Sequence, residues 1–246
     1  MSDLASGRAP GPAESPRFPA GTRALVKALH LSRRLRGRHR YDDFLIERVH
    51  GVPILVTPTV FNPKRLRTGE FFASRLDATL IEGNADVLDM GTGSGVCAVF
   101  AAGYARRVVA VDINAAAVRC AGINAALNLL EDKIDVRHGD LFEPVGEQRF
   151  DLILFNPPFL CGEPRDDRDR AWRSNGVAER FADGLDGHLK RAGCALLLLS
   201  TYADASIFLA PLSRRGHAIS PFAQRSYVGE RLTLYRIAPL APPGVK

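Results

Sequence analysis

Val87-Leu88-Asp89-Met90-Gly91-Thr92-Gly93-Ser94-Gly95 runs directly into Val96-Cys97-Ala98-Val99-Phe100-Ala101-Ala102. The order is a short apolar strand, a glycine-rich turn and a helix of small apolar residues. Glycines in the turn let the backbone bend tightly and approach a ligand. The helix that follows opens with unpaired N–H groups, which suit a carboxylate or phosphate. Asp89, closing the strand, adds an acceptor. A turn built this way binds a nucleotide-like cofactor.

Two cofactors fit it. Gly93 to Ala98 satisfies the dinucleotide pattern G-x-G-x-x-G/A, and Asp112 stands about 20 residues on, as a nicotinamide dinucleotide requires. Asp89, Gly91, Gly93 and Gly95 equally match the D-x-G-x-G-x-G loop that holds S-adenosylmethionine (SAM). Asp112 ends Val108-Val109-Ala110-Val111 and serves the ribose of either cofactor.

Asn156-Pro157-Pro158-Phe159 separates the two. It follows Phe150-Asp151-Leu152-Ile153-Leu154-Phe155, an apolar run read as a strand buried on both faces. Two prolines fix consecutive φ angles, and Pro157 pushes Asn156 out of helical space. The turn presents the Asn156 side-chain oxygen and a main-chain carbonyl, two acceptors that hold a planar –NH2 group. Phe159 packs on the planar face. A dehydrogenase leaves this turn unexplained, whereas methyl transfer to a poor nucleophile depends on such positioning.

From Asp86 onward strands and helices alternate. The strands are Val87–Asp89, Val108–Val111, Ile134–Val136, Leu152–Phe155 and Ala195–Leu199. Between them lie helices near Val96–Ala102, Ala115–Ala126, Val177–Leu189 and Ala205–Leu212. This alternation predicts an α/β, Rossmann-like, mostly parallel and doubly wound sheet. Arg231–Ile237 alternates as a further, antiparallel C-terminal strand. Asp89, Asp112, Asp140 and Asn156 fall at or just beyond strand ends, on one rim. Upstream, Val52–Val56 reads as an edge or hairpin strand, and a helix runs from Thr68 through Phe72 and Leu76 to Leu80.

Three segments follow: a disordered tail over residues 1–20, a basic helical and hairpin segment over 21–83, and a SAM-binding domain over 84–240. Hydrophobic residues make up 46% of the 246 positions, which supports a substantial core. No apolar run is long enough for a membrane span, and no signal sequence stands out. Cys97, Cys120, Cys161 and Cys194 are widely spaced, so no metal site is read and the thiols are expected reduced in a cytoplasmic protein. The formal charge of +6 is concentrated: between Ser15 and Tyr41 stand Arg17, Arg23, Lys27, Arg33, Arg34, Arg36, Arg38 and Arg40, with no acid. That run suits RNA or a solvated amphipathic helix. Trp172 with Arg165, Arg168, Arg170 and Arg173 forms either a substrate lid or a plain surface loop. His138 reads as a strand-end surface residue.

Across Gly51 to Ser200 the sequence resembles the class I SAM-dependent methyltransferases with an N-P-P-[YF] motif, most of all the release-factor glutamine methyltransferases of the HemK type. The resemblance rests on Val56–Pro63, Thr68-Gly69-Glu70, the Asp89–Gly95 loop, Val111-Asp112-Ile113-Asn114, Gly139-Asp140-Leu141-Phe142 and Asn156–Phe159. It implies that Asp112 takes the ribose hydroxyls, Ile113 lies against the adenine, and Asp140 and Leu141 hold the adenine edge. Thr68, Asp89, Gly91, Gly93, Gly95 and Asn156 complete the implied cofactor set. Asn156, the Pro157 carbonyl and Phe159 form the implied catalytic set. The acceptor implied is a protein glutamine; an exocyclic amine of RNA and a small natural-product amine are the alternatives. A non-catalytic RNA-binding scaffold and an NAD-dependent dehydrogenase are the readings from other classes.

The sequence also departs from the family. Phe159 replaces the usual tyrosine, and Pro63 to Glu70 only loosely echoes the Pro-Arg-x-x-Thr-Glu motif. A short basic segment stands where the family has a helical N-terminal domain.

Overall fold

The computed structural model describes residues 44–158, 160–162 and 173–239. The chain divides into units of residues 1–38 and 39–246, and every described residue lies in the second. The expected tail, the part of the basic segment before residue 44 with its arginine run, Phe159, Trp172 with Arg165, Arg168 and Arg170, and the stretch from residue 240 lie outside the described residues.

The chain opens with an antiparallel hairpin, β1 (Leu45–Val49) and β2 (Val52–Val56), then a short helix α1 (Thr68–Ala73). There follow β3 (Asp86–Met90), α2 (Val96–Ala102), β4 (Arg107–Asp112), α3 (Ala115–Leu127), β5 (Ile134–His138) and β6 (Phe150–Phe155). Two short strands, β7 (Leu160–Cys161) and β8 (Arg173–Ser174), pair with each other. The chain then continues through α4 (Val177–His188), β9 (Leu189–Ser200), α5 (Ser206–Arg214), β10 (Ala218–Tyr227) and β11 (Glu230–Ala238).

Seven strands form one sheet in the order β10-β11-β9-β6-β3-β4-β5. The five from β9 to β5 are mutually parallel, and β11 and β10 close the other side antiparallel. The parallel strands are apolar throughout because both faces are covered. Alternate side chains go to opposite layers. Val87, Val108, Leu152, Leu154, Leu196 and Leu198 join a core with Phe71, Phe72 and Val99 from α1 and α2. Leu88, Met90, Val109, Val111, Ile153 and Leu197 join a second core with Phe181 and Leu185 from α4 and Phe208 and Leu212 from α5. Each fully buried Leu or Ile in these layers contributes roughly 1.5–3 kcal/mol.

The sheet matches the expected mostly parallel α/β architecture. Four details differ. Leu45–Val49 is a strand that pairs with Val52–Val56 and was not foreseen. Helix α1 stops at Ala73 instead of reaching Leu80, because the Ser74 hydroxyl donates to the Phe71 carbonyl and Asp77 caps a turn at Thr79 and Leu80. Strand β9 begins at Leu189, and β10 is a full strand not foreseen. The described part of the 21–83 segment shares the first core: Val49, Ile54, Phe71 and Phe72 pack with residues of β3, β4 and β6.

Candidate active site

Strands β3 and β4 depart to one side of the sheet's centre and β6 and β9 to the other, so a crevice opens beyond their C-terminal ends. A cavity of about 350 Å³ lies there. Its walls include Asp89 near the end of β3 with Gly91 and Gly93 after it, Asp112 ending β4 with Ile113 after it, Gly139 to Leu141 after β5, and Asn156 to Pro158 after β6. Residues scattered over 70 positions of sequence thus meet in one place, as the alternation predicts.

The glycine loop is held from inside the protein. Asp89 is buried, and its Oδ2 accepts hydrogen bonds from Thr92 Oγ1 at 2.6 Å and the Ala98 amide at 3.0 Å. Burial is the main cause pushing its pKa up to about 7, against those two bonds, and the Asp112 carboxylate adds to the rise. Asp89 therefore braces the loop as well as facing the cavity. Gly91 and Gly93 take φ of 65° and 57°, a region that costs a side chain roughly 1–2 kcal/mol. Gly95 does something else. It is not on the cavity wall; a Cβ there would stand 3.0 Å from both Cα and Cβ of Ala121. It is the point where α2 packs on α3, so the structure gives it a packing role in the loop.

Asp112 is pinned by its own surroundings. Its Oδ2 accepts from the Gly93 amide at 2.8 Å and its Oδ1 from the Asn114 amide at 2.9 Å. Burial raises its pKa while these bonds favour the carboxylate. Each oxygen keeps a lone pair, so a diol can still donate to it. Asn114 caps α3 through its side chain, accepting from the Ala116 amide at 2.8 Å. Ile113, 40% exposed, offers an apolar face to the cavity. His138 hydrogen-bonds the Ile113 carbonyl at 3.0 Å, which fixes that turn. Leu141, held at φ 48°, also lines the cavity.

Asp140 is on the wall too, but one of its oxygens is paired with Arg180, from the first turn of α4. Arg180, Asn175 and Val177 line the cavity and were not foreseen; nothing in their spacing marks them. Thr59, Val60 and Phe61, after β2, close another side. Asn62 shapes this loop, with Oδ1 accepting from the Lys64 and Arg65 amides and Nδ2 donating to Glu47.

Asn156 stands at the cavity edge with its amide oriented. Nδ2 lies 3.4 Å from Thr68 Oγ1, and Oδ1 is buried with no hydrogen-bond partner. Thr68 is buried and not among the residues lining the cavity, and the structure ties it to Asn156. Phe159, the third expected catalytic residue, lies outside the described residues.

The sequence profile of the methyltransferase small domain matches residues 51–200. The chain belongs to that family. Its cofactor is SAM, which sets the nicotinamide dinucleotide reading aside, and it is a SAM-dependent methyltransferase. The methyltransferase is 32% identical over 166 residues to a Methanocaldococcus jannaschii protein named for N5-glutamine methyltransferase activity, covering 64% of this chain and 80% of that one. It is 36% identical over 138 residues to the release factor glutamine methyltransferase of Koribacter versatilis, covering 49% and 48% of the two chains. It is 33% identical over 146 residues to the ribosomal RNA small subunit methyltransferase C of Alcanivorax borkumensis, covering 57% and 40%. The chain thus spans about half or less of these last two relatives. The same fold occurs in a 16S rRNA N2 G1207 methyltransferase of Thermus thermophilus, solved with AdoMet and guanosine (TM-score 0.60, 21% identity, 80% of this chain and 50% of that one).

The methyltransferase's cavity fits SAM. Positive-φ glycines leave the backbone bare on one wall, Asp112 retains acceptors that a diol could use, and Ile113 and Leu141 offer apolar walls against which a flat base could lie. Among the described residues there is no cluster of His, Cys, Asp and Glu arranged to hold a metal ion, and no helix is long and apolar enough to cross a membrane. Cys97, Cys120 and Cys194 are buried free thiols, and burial raises the pKa of each.

Proposed function

We propose that the protein methylates a planar –NH2 nitrogen, and that this nitrogen is the side-chain amide of a glutamine in a protein. One observation carries the reading. The Asn156 oxygen is buried without a partner at the edge of the cofactor cavity, while the nitrogen of the same amide is turned toward Thr68. A buried acceptor left unpaired costs roughly 1–3 kcal/mol, so a ligand that donates an N–H there recovers that cost.

Bound SAM supplies a sulfonium methyl as the electrophile. The protein's part is placement. Asn156 Oδ1 accepts one N–H of the acceptor, and the Pro157 carbonyl accepts the other. Pro157 is buried and Pro158 half-buried, so the turn has little freedom. With both hydrogens held, the plane of the acceptor group is fixed. With SAM bound, the new N–C bond would form as the S–C bond breaks, S-adenosylhomocysteine would be the leaving group, and one acceptor hydrogen would pass to solvent as a proton. Placement of this sort contributes up to roughly 7–11 kcal/mol in favourable cases.

The names of the Methanocaldococcus and Koribacter relatives support glutamine as the acceptor. An exocyclic amine of RNA is the second reading, favoured by the unbroken cationic run between Ser15 and Tyr41. The test is to incubate the protein with methyl-tritiated SAM and separated protein, RNA and small-molecule fractions of its host. Label in protein, recovered as N5-methylglutamine, supports the proposal. Label confined to RNA replaces glutamine with a base, and label on oxygen or carbon removes the Asn156 argument.

A further inference from the structure

The hairpin of β10 and β11 ends at Tyr227–Glu230, on the same rim as the active site. Leu232 pairs with Ser200 at the C-terminal end of β9, and β9 runs parallel beside β6, which leads into Asn156. Arg67 comes to this hairpin from the other side. It directly precedes Thr68, which contacts Asn156, and is held at φ 63°. The Arg67 guanidinium carbon lies 4.6 Å from the centre of the Tyr227 ring, and that of Arg225 lies 5.4 Å from it. Tyr227 in turn packs against the first core, so the ring has a fixed base. Among the described residues neither guanidinium is paired with a carboxylate.

We propose that Arg67, Tyr227 and Arg225 form a contact surface for single-stranded RNA at the acceptor side of the site. Guanidinium planes and a tyrosine ring are the faces on which unpaired bases stack, and the guanidinium edges donate to phosphate oxygens. A protein carboxylate would satisfy one of the two arginines. RNA uses the ring and both cations together, and the same chain carries eight further cations and no acid between Ser15 and Tyr41, a pattern matched to a repeating polyanion. The inference goes beyond the proposed acceptor and does not depend on it. RNA at this surface either carries the target base or belongs to the particle that presents the target protein.

The test is fluorescence anisotropy of a labelled mixed-sequence 12-nucleotide single-stranded RNA with the full chain and saturating S-adenosylhomocysteine, between about 50 and 200 mM salt. Replacing both Arg67 and Arg225 by Ala should make the log–log salt slope shallower by about 1.4, from roughly 0.7 for each phosphate that is no longer neutralised. Tyr227→Ala should weaken binding by about 5- to 150-fold, the range for removing one stacking partner. S-adenosylhomocysteine affinity should stay within about twofold in every variant, which shows that the fold persists; the margin is far below the tenfold that 1.4 kcal/mol brings. Arg225→Ala alone, on the exposed edge strand, gives the same direction without touching α1. Unchanged RNA affinity and slope in the variants, or no RNA binding at 50 mM salt, overturns the proposal. So does tighter binding of a polyglutamate peptide of equal charge, which assigns the surface to an acidic protein instead.

Discussion

At the scale of the residue, Asp89 and Thr68 carry the most information because each has a definite partner. Asp89 is an acid whose pKa is raised to about 7 in the folded chain from an ordinary value of 3.8, chiefly by burial. A raised acid binds more protons folded than unfolded between those two values, so stability falls as pH rises through that window and is highest below it. Asp112, also raised by burial, acts in the same sense. Asp77, Asp86 and Asp204 are lowered, so their contribution is lost only on acidification below the ordinary carboxylate range. Denaturant midpoints should therefore drop from pH 5 to pH 8, and Asp89→Asn should flatten much of that slope while keeping acceptors for Thr92 and Ala98. An unchanged slope in the variant would place the titration elsewhere. Thr68 should act through Asn156: Thr68→Val should cut kcat by about 10-fold, in line with loss of about 1 kcal/mol of orienting hydrogen bond plus some misplacement, with KM for SAM little moved. Thr68→Ser should restore most of the rate; failure of that rescue would mean the methyl group's packing, not the hydroxyl, matters.

Among elements, the hairpin of β1 and β2 is fastened to α3 by Asn124, with Asn128 donating to the Pro53 carbonyl at 3.0 Å and Cys120 Sγ to the Leu55 carbonyl at 3.3 Å beside it. Asn124 on α3 is fully buried; its Oδ1 accepts from the Leu55 amide at 2.7 Å, and its Nδ2 donates to the Leu55 and Ser94 carbonyls at 2.6 and 2.8 Å. Hairpin, helix and glycine loop thus meet at a single amide. Asn124→Ala strands the Leu55 amide and the Ser94 carbonyl, while the Leu55 carbonyl keeps Cys120 Sγ, and should cost about 2 kcal/mol or more of stability, read as a lower denaturant midpoint. Loss below about 0.5 kcal/mol would show that the hairpin is held by its apolar contacts and its remaining bonds to Asn128 and Cys120. Nothing in the sequence singles out Asn124, since it sits among alanines in an ordinary helix. Strand β10 was equally hidden. It is an edge strand, mostly exposed, with Pro221 and a register shift after it, so it has neither an apolar run nor a clean alternation. Strands β3, β4 and β6 were legible because burial on both faces writes continuous apolar runs into the chain. The start of β9 was not, because Lys190-Arg191-Ala192-Gly193 reads as a turn although Leu189 already pairs with Phe150.

At the scale of the whole molecule, the sheet gathers strand ends onto one rim, and that is why most of the site could be read from sequence. Asp89, Gly91, Gly93, Asp112, Ile113, Asp140, Leu141, Asn156 and Pro157 all line the cavity. Arg180, Asn175 and the Thr59–Phe61 loop come from elements whose approach to the rim only the tertiary fold decides. Binding energy should link cavity and stability. S-adenosylhomocysteine at about 100 times its Kd should stabilise the chain by about 2.7 kcal/mol, and Asp112→Ala should reduce that gain at the same ligand concentration by weakening binding about 10- to 150-fold. A variant stabilised as much as the parent would mean that Asp112 does not hold the ribose.

The central claim is that Asn156 holds the acceptor nitrogen and not the cofactor, and one paired measurement on Asn156→Ala tests it most directly. Single-turnover methyl transfer to the acceptor identified by labelling is compared with calorimetric affinity for S-adenosylhomocysteine. The account predicts transfer slowed about 100-fold or more, as for a reacting atom misplaced by about 1 Å, with affinity within about threefold of the parent. Transfer at the parental rate, or a loss explained entirely by weaker cofactor binding, would contradict it.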